Sequence, residues 1–406
     1  MTATLDRNAD LTSLLQSALP RALEIRHDLH MHPELMFEEA RTAKLVMNEL
    51  KTLGIECKGG FAKGTGVIGY LPANAPGASQ TGTVALRADM DALPINEETG
   101  KPYASKTPGI MHACGHDGHT TILLTVARVL SKMQRPHPVL FVFQPAEEGG
   151  GGADHMVKEG ALDGEAKGGL GEPVTRMFGL HGWPSLEIGT VATRPGPLLA
   201  ATDEIEVTIH GTQCHAAFPH LGTDTVVASA SVINTLQTIP SRSIAPTDSC
   251  IVTIATIHAG TANNVIPASV HMTGTVRTLS DETRALTKKR FFEVVNHTAQ
   301  AHDCRAEIHY EEGYPVTRND DALAAWFLDT ARGVIGDENV LVQPTAVMGG
   351  EDFSYYCNKV PSCFFFLGIR PKGQETYPSL HQPDFDFNDD AIEIGVQLMC
   401  ACAIGN

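Results

Sequence analysis

Two hydrophobic periods alternate along the first 200 residues. Leu11 to His30 and Glu38 to Leu53 carry apolar residues at helical spacing, as does "DGHTTILLTVARVLSKM" (117–133). Short apolar runs lie between and after them: "GVIGYL" (66–71), "TVALRADM" (83–90), "PVLFVFQP" (138–145) and "RMFGLHGW" (176–183). These read as buried strands, and strands alternating with helices predict a mainly parallel sheet covered on both faces. Near Pro197 the pattern changes. "DEIEVTIHG" (203–211) alternates with period two, "TDTVVASASVINTLQTI" (223–239) is helical, and "CIVTIATIH" (250–258) and "SVHMTGTVRTL" (269–279) are strands. Ser280, followed by Asp281 and Glu282, opens a helix to about His302, and "RAEIHYEEG" (305–313) ends the block as a strand. The order βαββαβ is the split βαβ, ferredoxin-like arrangement. Beyond Tyr314 come a helix over 321–335, the strand "CFFFLGI" (363–369) and a last helix from Asn388. The expected organisation is therefore a first domain split into 1–197 and 314–406, with 198–313 inserted.

Composition narrows the function classes. A chain of 406 residues suits two domains, and 42% hydrophobic with 19% charged residues is the balance of a globular protein. A formal net charge of −17 argues against nucleic acid or an anionic membrane surface as partner. No apolar run approaches the ~20 residues that span a bilayer, and "MTATLDRNADLTSLL" lacks the pattern of a secretory signal. Nine cysteines at irregular spacing do not read as a disulfide framework, so a cytoplasmic location is expected.

The polar residues hardest to explain fall at the ends of predicted strands. "LRADMDALP" carries Asp89 and Asp91, "MHACGHDGHT" precedes a helix, and "FQPAEEGGGG" carries Glu147 and Glu148. "GLHGWP" places His181 at a strand's end, and "SLHQPDFDF" places His381 after the last strand. Ligands of open α/β sheets bind at the carboxyl ends of strands, so these motifs converge on one crevice. Thiolate, imidazole and carboxylate are ligands of zinc and its transition-series neighbours. Cys114, His116 and His119 are placed to surround an ion. Adjacent Glu147 and Glu148 can supply one ligand and one uncoordinated base, with the nearby glycines letting the backbone turn. Each feature has a bland alternative: a structural histidine, a solvated Glu pair, a turn-capping Asp91. A Cys114 nucleophile with His116 as its base is a weak alternative, because side chains two residues apart rarely meet in that geometry.

The motifs "LHMHPEL", "LRADMDALP", "MHACGHDGHT", "FQPAEEGGGG", "GLHGWP", "HAAFPH", "NVIPASV", "GTVRT", "GEDFSYY" and "LHQPDFDFND" cover nearly the whole chain. In them the sequence resembles the aminoacylase and hippurate hydrolase branch of the two-metal aminoacylase/carboxypeptidase G peptidase family. The resemblance implies an α/β fold, a zinc-aminopeptidase-like mixed sheet with helices on both faces, plus an inserted α+β ferredoxin-like lid domain. It implies two divalent ions (zinc, manganese, cobalt or nickel) held by Cys114, His116, Glu148, His181 and His381, with Cys114 bridging and Glu147 as general base. Asp89 stands where the wider family has a histidine ligand, so Asp89 and Asp91 are left out of the ligand set and Asp91 is expected to orient a ligand. His215 is implied to stabilise an oxyanion. Asn264, Arg277, Gly349 and Gly350 are implied to contact the substrate, Arg277 by its planar fork. Asn263 is the competing asparagine, and the effect of Cys214 has no account. The expected activity is hydrolysis of small-molecule N-acyl amino acids, in a homodimer formed through the lid, with hinges near Ala200 and Tyr314. A metal-independent thiol amidase and a non-catalytic binder of amino-acid conjugates are the alternatives.

Overall fold

The computed structural model describes residues 2–78 and 82–405, with side chains from Leu11 onward. Met1 and Asn406, the outer ends of the expected first domain, lie outside the described residues, as do most of the side chains read for a leader. The chain forms two compact units: Met1–Gly196 with Arg318–Pro344 and Asp352–Asn406, and Pro197–Thr317 with Thr345–Glu351.

The first unit is built on a mixed sheet of eight strands. They are β1 (Glu56–Phe61), β2 (Gly66–Leu71), β3 (Thr83–Asp89), β4 (Val139–Gln144), β5 (Val174–Glu187), β6 (Val191–Thr193), β11 (Val340–Val342) and β12 (Ser362–Arg370), the intervening four belonging to the second unit. Their order is β1-β2-β4-β3-β5-β12-β6-β11. The centre, β4-β3-β5-β12, is parallel, as the continuous apolar runs predict. β1 and β2 add antiparallel at one edge, and β6 pairs antiparallel with β12 near the other. β1, β6 and β11 escape a reading by period: "ECKGGF" has polar and glycine residues throughout, and the other two span three residues each.

The sequence of β12 shows why both faces are covered. Cys363, Phe365, Leu367 and Ile369 point into one core with α1 (Thr2–Met31), α2 (Ala40–Thr52), α3 (His116–Leu130), α7 (Asp321–Ile335) and α8 (Ala391–Ile404). There Phe327 of α7 stacks on Phe365 at 4.3 Å. Phe364 and Phe366 point the other way, onto Phe353 at 4.9 Å and Trp183 at 4.1 Å. Each such ring contributes roughly 1.5–3 kcal/mol of burial. Helix α3 is buried at every position but Arg128, a central helix covered on all sides, and the short α4 (Gly152–Lys158) follows β4.

The second unit contains β7 (Ala201–His210), α5 (Thr225–Leu236), β8 (Cys250–Ala259), β9 (Ser269–Thr278), α6 (Asp281–Ala301) and β10 (Arg305–Glu312). The sheet order β8-β9-β7-β10 is antiparallel throughout, the ferredoxin-like arrangement. Ile205, Val207 and Ile209, alternating along β7, enter its core beside Phe291 of α6. Asp224 caps α5 and Ser280 caps α6, accepting from the Thr283 N–H at 3.1 Å.

Candidate metal centre

The peptide around Cys114 is shaped by one left-handed residue. Gly115 has φ +87° and forms the N-cap of α3, so Cys114 and His116 leave the turn on adjacent directions. His381, itself at φ +65°, donates its backbone N–H to the Ala113 carbonyl at 2.8 Å, which brings the loop after β12 to the same turn. Cys114 Sγ lies 3.3 Å from His181 Nε2, and His381 Nε2 lies 3.1 Å from Glu148 Oε1. Ligand-type atoms of Cys114, His116 and His181 group within 4.8 Å of one another. So do those of Cys114, Glu148 and His381, and those of His116, Glu147 and Glu148. The five expected ligands and Glu147 thus meet in one place, all within the first unit.

Hydrogen bonding selects which atoms face that place. His116 Nδ1 donates to the Asp91 carbonyl at 2.9 Å, with Asp91 Oδ1 at 3.2 Å, and its Nε2 is buried with no hydrogen-bond partner. His181 Nδ1 donates to the Gly182 carbonyl at 2.8 Å, so its Nε2 lone pair points to Cys114. Glu148 Oε1 is likewise buried, with His381 Nε2 at 3.1 Å. An imidazole lone pair without a partner is costly in a closed core, and beside a carboxylate and a thiol it completes a donor set that fits a divalent cation. Asp91 orients two candidate ligands at once, through the His116 ring and, by Oδ2, the Glu148 N–H at 2.9 Å.

Two expectations change on contact with the structure. His119 does not belong to the ion-facing set: its Nδ1 donates to Asp89 Oδ1 at 2.7 Å and its Nε2 accepts the Gly182 N–H at 2.8 Å. Both nitrogens are used, and the ring ties α3 to the strand that carries His181. His181 does not end a strand, because β5 continues to Glu187 along β12. As expected, Cys114 and His116 do not pair as nucleophile and base: the Cys114 thiol is within hydrogen-bond distance of His181 Nε2.

The electrostatics follow from burial. Burial, with Glu148, Glu147 and Asp89 nearby, pushes the Cys114 thiol well above its usual range. Burial, with His119 adding, holds His181 well below the usual imidazole range. Burial opposes ionisation of Glu148, but His381 and His116 outweigh it and lower its carboxyl. Arg87, a charged residue inside the apolar strand β3, is buried and pairs with Asp89 at 2.7 Å and Asp352 at 3.0 Å. Asp352 also accepts from Gln144 Nε2 at 2.8 Å and the Ala153 N–H at 2.9 Å. Sequence reading passed over Asp352 and Arg87; the one signal was an arginine where a buried strand should be apolar.

The second unit holds the remaining candidates. His215 is exposed, on a two-residue strand paired with Val265 and Ile266; its Nδ1 accepts the Ala217 N–H at 3.0 Å, leaving Nε2 as the donor. Asn264 is exposed and its carbonyl accepts the Ala216 N–H at 2.9 Å, whereas Asn263 lines a cavity of about 430 Å³ with Val226, Gly260 and Pro267. Arg277 is half-buried on β9, donating to Thr275 Oγ1 and to the Val276 carbonyl at 3.1 Å. The Gly349 carbonyl accepts the Ala200 N–H at 2.9 Å, and a side chain at Gly350 would strike Thr202 Cγ2 at 2.2 Å.

Cation-ligating side chains clustered around the central parallel strands of a mixed α/β sheet are the pattern of a metallohydrolase. The profile of peptidase family M20/M25/M40 matches residues 85–404, and the chain belongs to that family. Among its relatives, IAA-amino acid hydrolase ILR1-like 4 of Arabidopsis thaliana is 40% identical over 93% of this chain and 84% of its own length. The N-acetyl-L-cysteine deacetylase of Bacillus subtilis is 40% identical over 91% and 84%. The crystal structure of Bacillus subtilis YXEP protein, described as a dinuclear metal binding peptidase from the M20 family, superposes with a TM-score of 0.79. It is 32% identical, over 96% of this chain and 98% of that one.

Proposed function

We propose that this protein is a metal-dependent amidohydrolase that cleaves the amide bond of N-acyl amino acids, releasing a carboxylic acid and a free amino acid. One observation carries the reading: Cys114, His116, Glu148, His181 and His381 converge beside Glu147, with the buried His116 Nε2 left without a hydrogen-bond partner. Cys114, His116, Glu148, His181 and His381 would hold two divalent cations, which would supply Lewis acidity toward the amide carbonyl and a water. Glu147, buried beside them, takes the proton of the attacking water and delivers it to the leaving amine. His215 donates from Nε2 to the developing oxyanion, and Asn264, Arg277, Gly349 and Gly350 bind the amino-acid portion, Arg277 gripping its carboxylate.

The acyl group is assigned a seat in the first unit. A cavity of about 480 Å³ is lined by Trp183, Pro184, Tyr377 and Leu380, with Arg370 and Glu375, and the Trp183 ring stands edge-on to His181 at 6.0 Å. That space suits an aryl or long alkyl acyl group better than acetyl. The thiol-amidase alternative is disfavoured by charge: a nucleophilic cysteine needs a lowered pKa, and Cys114 is pushed the other way while His181 is held neutral.

The same reading places the enzyme in the cytoplasm, supported by nine free cysteines, and makes it a homodimer through the second unit. Exposed Ile251 and Ile257 on the edge strand β8 support the latter. No helix among the described residues is long and apolar enough to cross a membrane. The test is metal-stripped enzyme reloaded separately with zinc, manganese, cobalt or nickel and assayed against acetyl, benzoyl and indoleacetyl amino acids. Amino acid should appear only after reloading, fastest from the aryl substrates; equal turnover without metal would remove the reading.

A further inference from the structure

Glu39 takes no part in the chemistry above, yet it is fully buried. It is the N-cap position of α2, more than 100 residues from the Glu147–Glu148 pair in sequence. One carboxylate oxygen, Oε1, accepts the Ala146 N–H at 2.8 Å, and the other, Oε2, accepts the Thr65 hydroxyl at 2.8 Å. Ala146 is the unusual partner. It has φ +56°, the left-handed region that a residue with a Cβ enters at a cost. The bend it makes is tight: the Ala146 carbonyl accepts the Gly152 N–H at 3.0 Å, and a side chain at Gly150 would lie 2.7 Å from the Ala146 Cβ. Glu147 and Glu148 follow immediately, so the φ of Ala146 sets the direction in which both carboxylates leave the strand. A left-handed alanine relaxes toward ordinary backbone unless its surroundings hold it.

We propose that Glu39 is a positioning residue for the catalytic loop: by accepting the Ala146 N–H from inside the core, it holds the left-handed bend that presents Glu147 and Glu148 to the metal centre. This rests on the roles given above to Glu147 and Glu148. The carboxylate is suited to the task because its second oxygen is anchored on Thr65, which fixes its rotamer.

The test is a double-mutant cycle with two readouts: steady-state hydrolysis of an N-acyl amino acid, and Co²⁺ titration of the metal-free protein followed by its absorption. E39A should lower kcat about 100-fold with KM little changed, since the loop is misdirected and the substrate-binding residues are not. Co²⁺ affinity should fall ~10–100-fold, because Glu148 is displaced as well. E39Q keeps an oxygen for the Ala146 N–H and should retain kcat within about fivefold. The discriminating step is A146G, since glycine adopts positive φ freely. In the A146G background E39A should cost about tenfold or less in kcat, a coupling that loss of packing alone does not produce. Should E39A fail to fold, E39D, which withdraws the acceptor by one methylene while keeping its charge, enters the same cycle. Equal losses in both backgrounds, or unaltered kcat and Co²⁺ affinity in E39A, would overturn the proposal. If the wild-type protein hydrolyses none of the substrates, the amidohydrolase reading fails, and the Co²⁺ titrations still decide the role of Glu39.

Discussion

In the first unit, Cys114, His116, Glu147 and His181 are buried, and His116 and His181 each have one ring nitrogen fixed by a protein carbonyl. In the second, His215 and Asn264 are exposed and Arg277 is only half-buried. The first set lies in the core, its rings held by hydrogen bonds to the protein. The second set stays hydrated, and its hydrogen bonds gain strength only when a substrate displaces water. Substitutions should therefore separate by readout, with the first unit governing metal binding and stability and the second governing substrate binding and turnover without loss of metal.

The largest expected effect is an exception that sharpens the contrast. E147Q should lower kcat by about 10⁴-fold with metal content unchanged, because Glu147 is assigned the proton and no cation; metal analysis alongside kinetics checks it, and retained turnover would remove the base assignment. H215A should lower kcat about 10²–10³-fold while bound metal and melting temperature stay at wild-type values. A loss of metal in that variant would erase the distinction between the units. D91N should weaken metal affinity by roughly 10–100-fold, since Asp91 orients His116 and the Glu148 backbone together. Isothermal titration with Zn²⁺ measures this, and an unchanged affinity would mean that the ligands are held by packing alone.

The smallest effect concerns stability. Burial lowers the pKa of His30, but Asp117, at 2.7 Å, and Glu97 outweigh it and raise the ring to about 9. The folded value lies above the unfolded one, so the stabilisation is complete below about pH 6.5 and is lost as pH rises through about 9. Its size is at most about 3 kcal/mol, a fall of several degrees in melting temperature between pH 6.5 and 9.5. H30Q should melt lower at pH 6.5 and show a flatter profile over that interval. An unaltered slope would assign the pH response to other groups.

Much of the fold was legible from period alone. The apolar runs of β3, β4 and β12 and the alternation of β7 carry their own burial pattern. β1, β6 and β11 were not legible, because three residues, or a stretch of glycine and polar residues, hold no period, and such strands exist only where a neighbour offers a free edge. The site divides in the same way. Its residue types and their order along the chain pointed to cation chemistry without coordinates. Glu39 and Asp352 were invisible, since nothing in "MFEEA" or "GEDFS" refers to the residues they hold.

Sequence by itself determined most of the elements and the class of chemistry, because those depend on residue type and short-range spacing, and its family resemblance named the side chains able to perform it. Tertiary structure alone decided which histidine nitrogens remain open, that His119 is consumed by Asp89 and Gly182, that the Cys114 thiol meets His181, and that a left-handed alanine is held by an acid from another helix's start. Those outcomes depend on hydrogen-bond partners and burial supplied by distant segments, and neither quantity exists until the chain has folded.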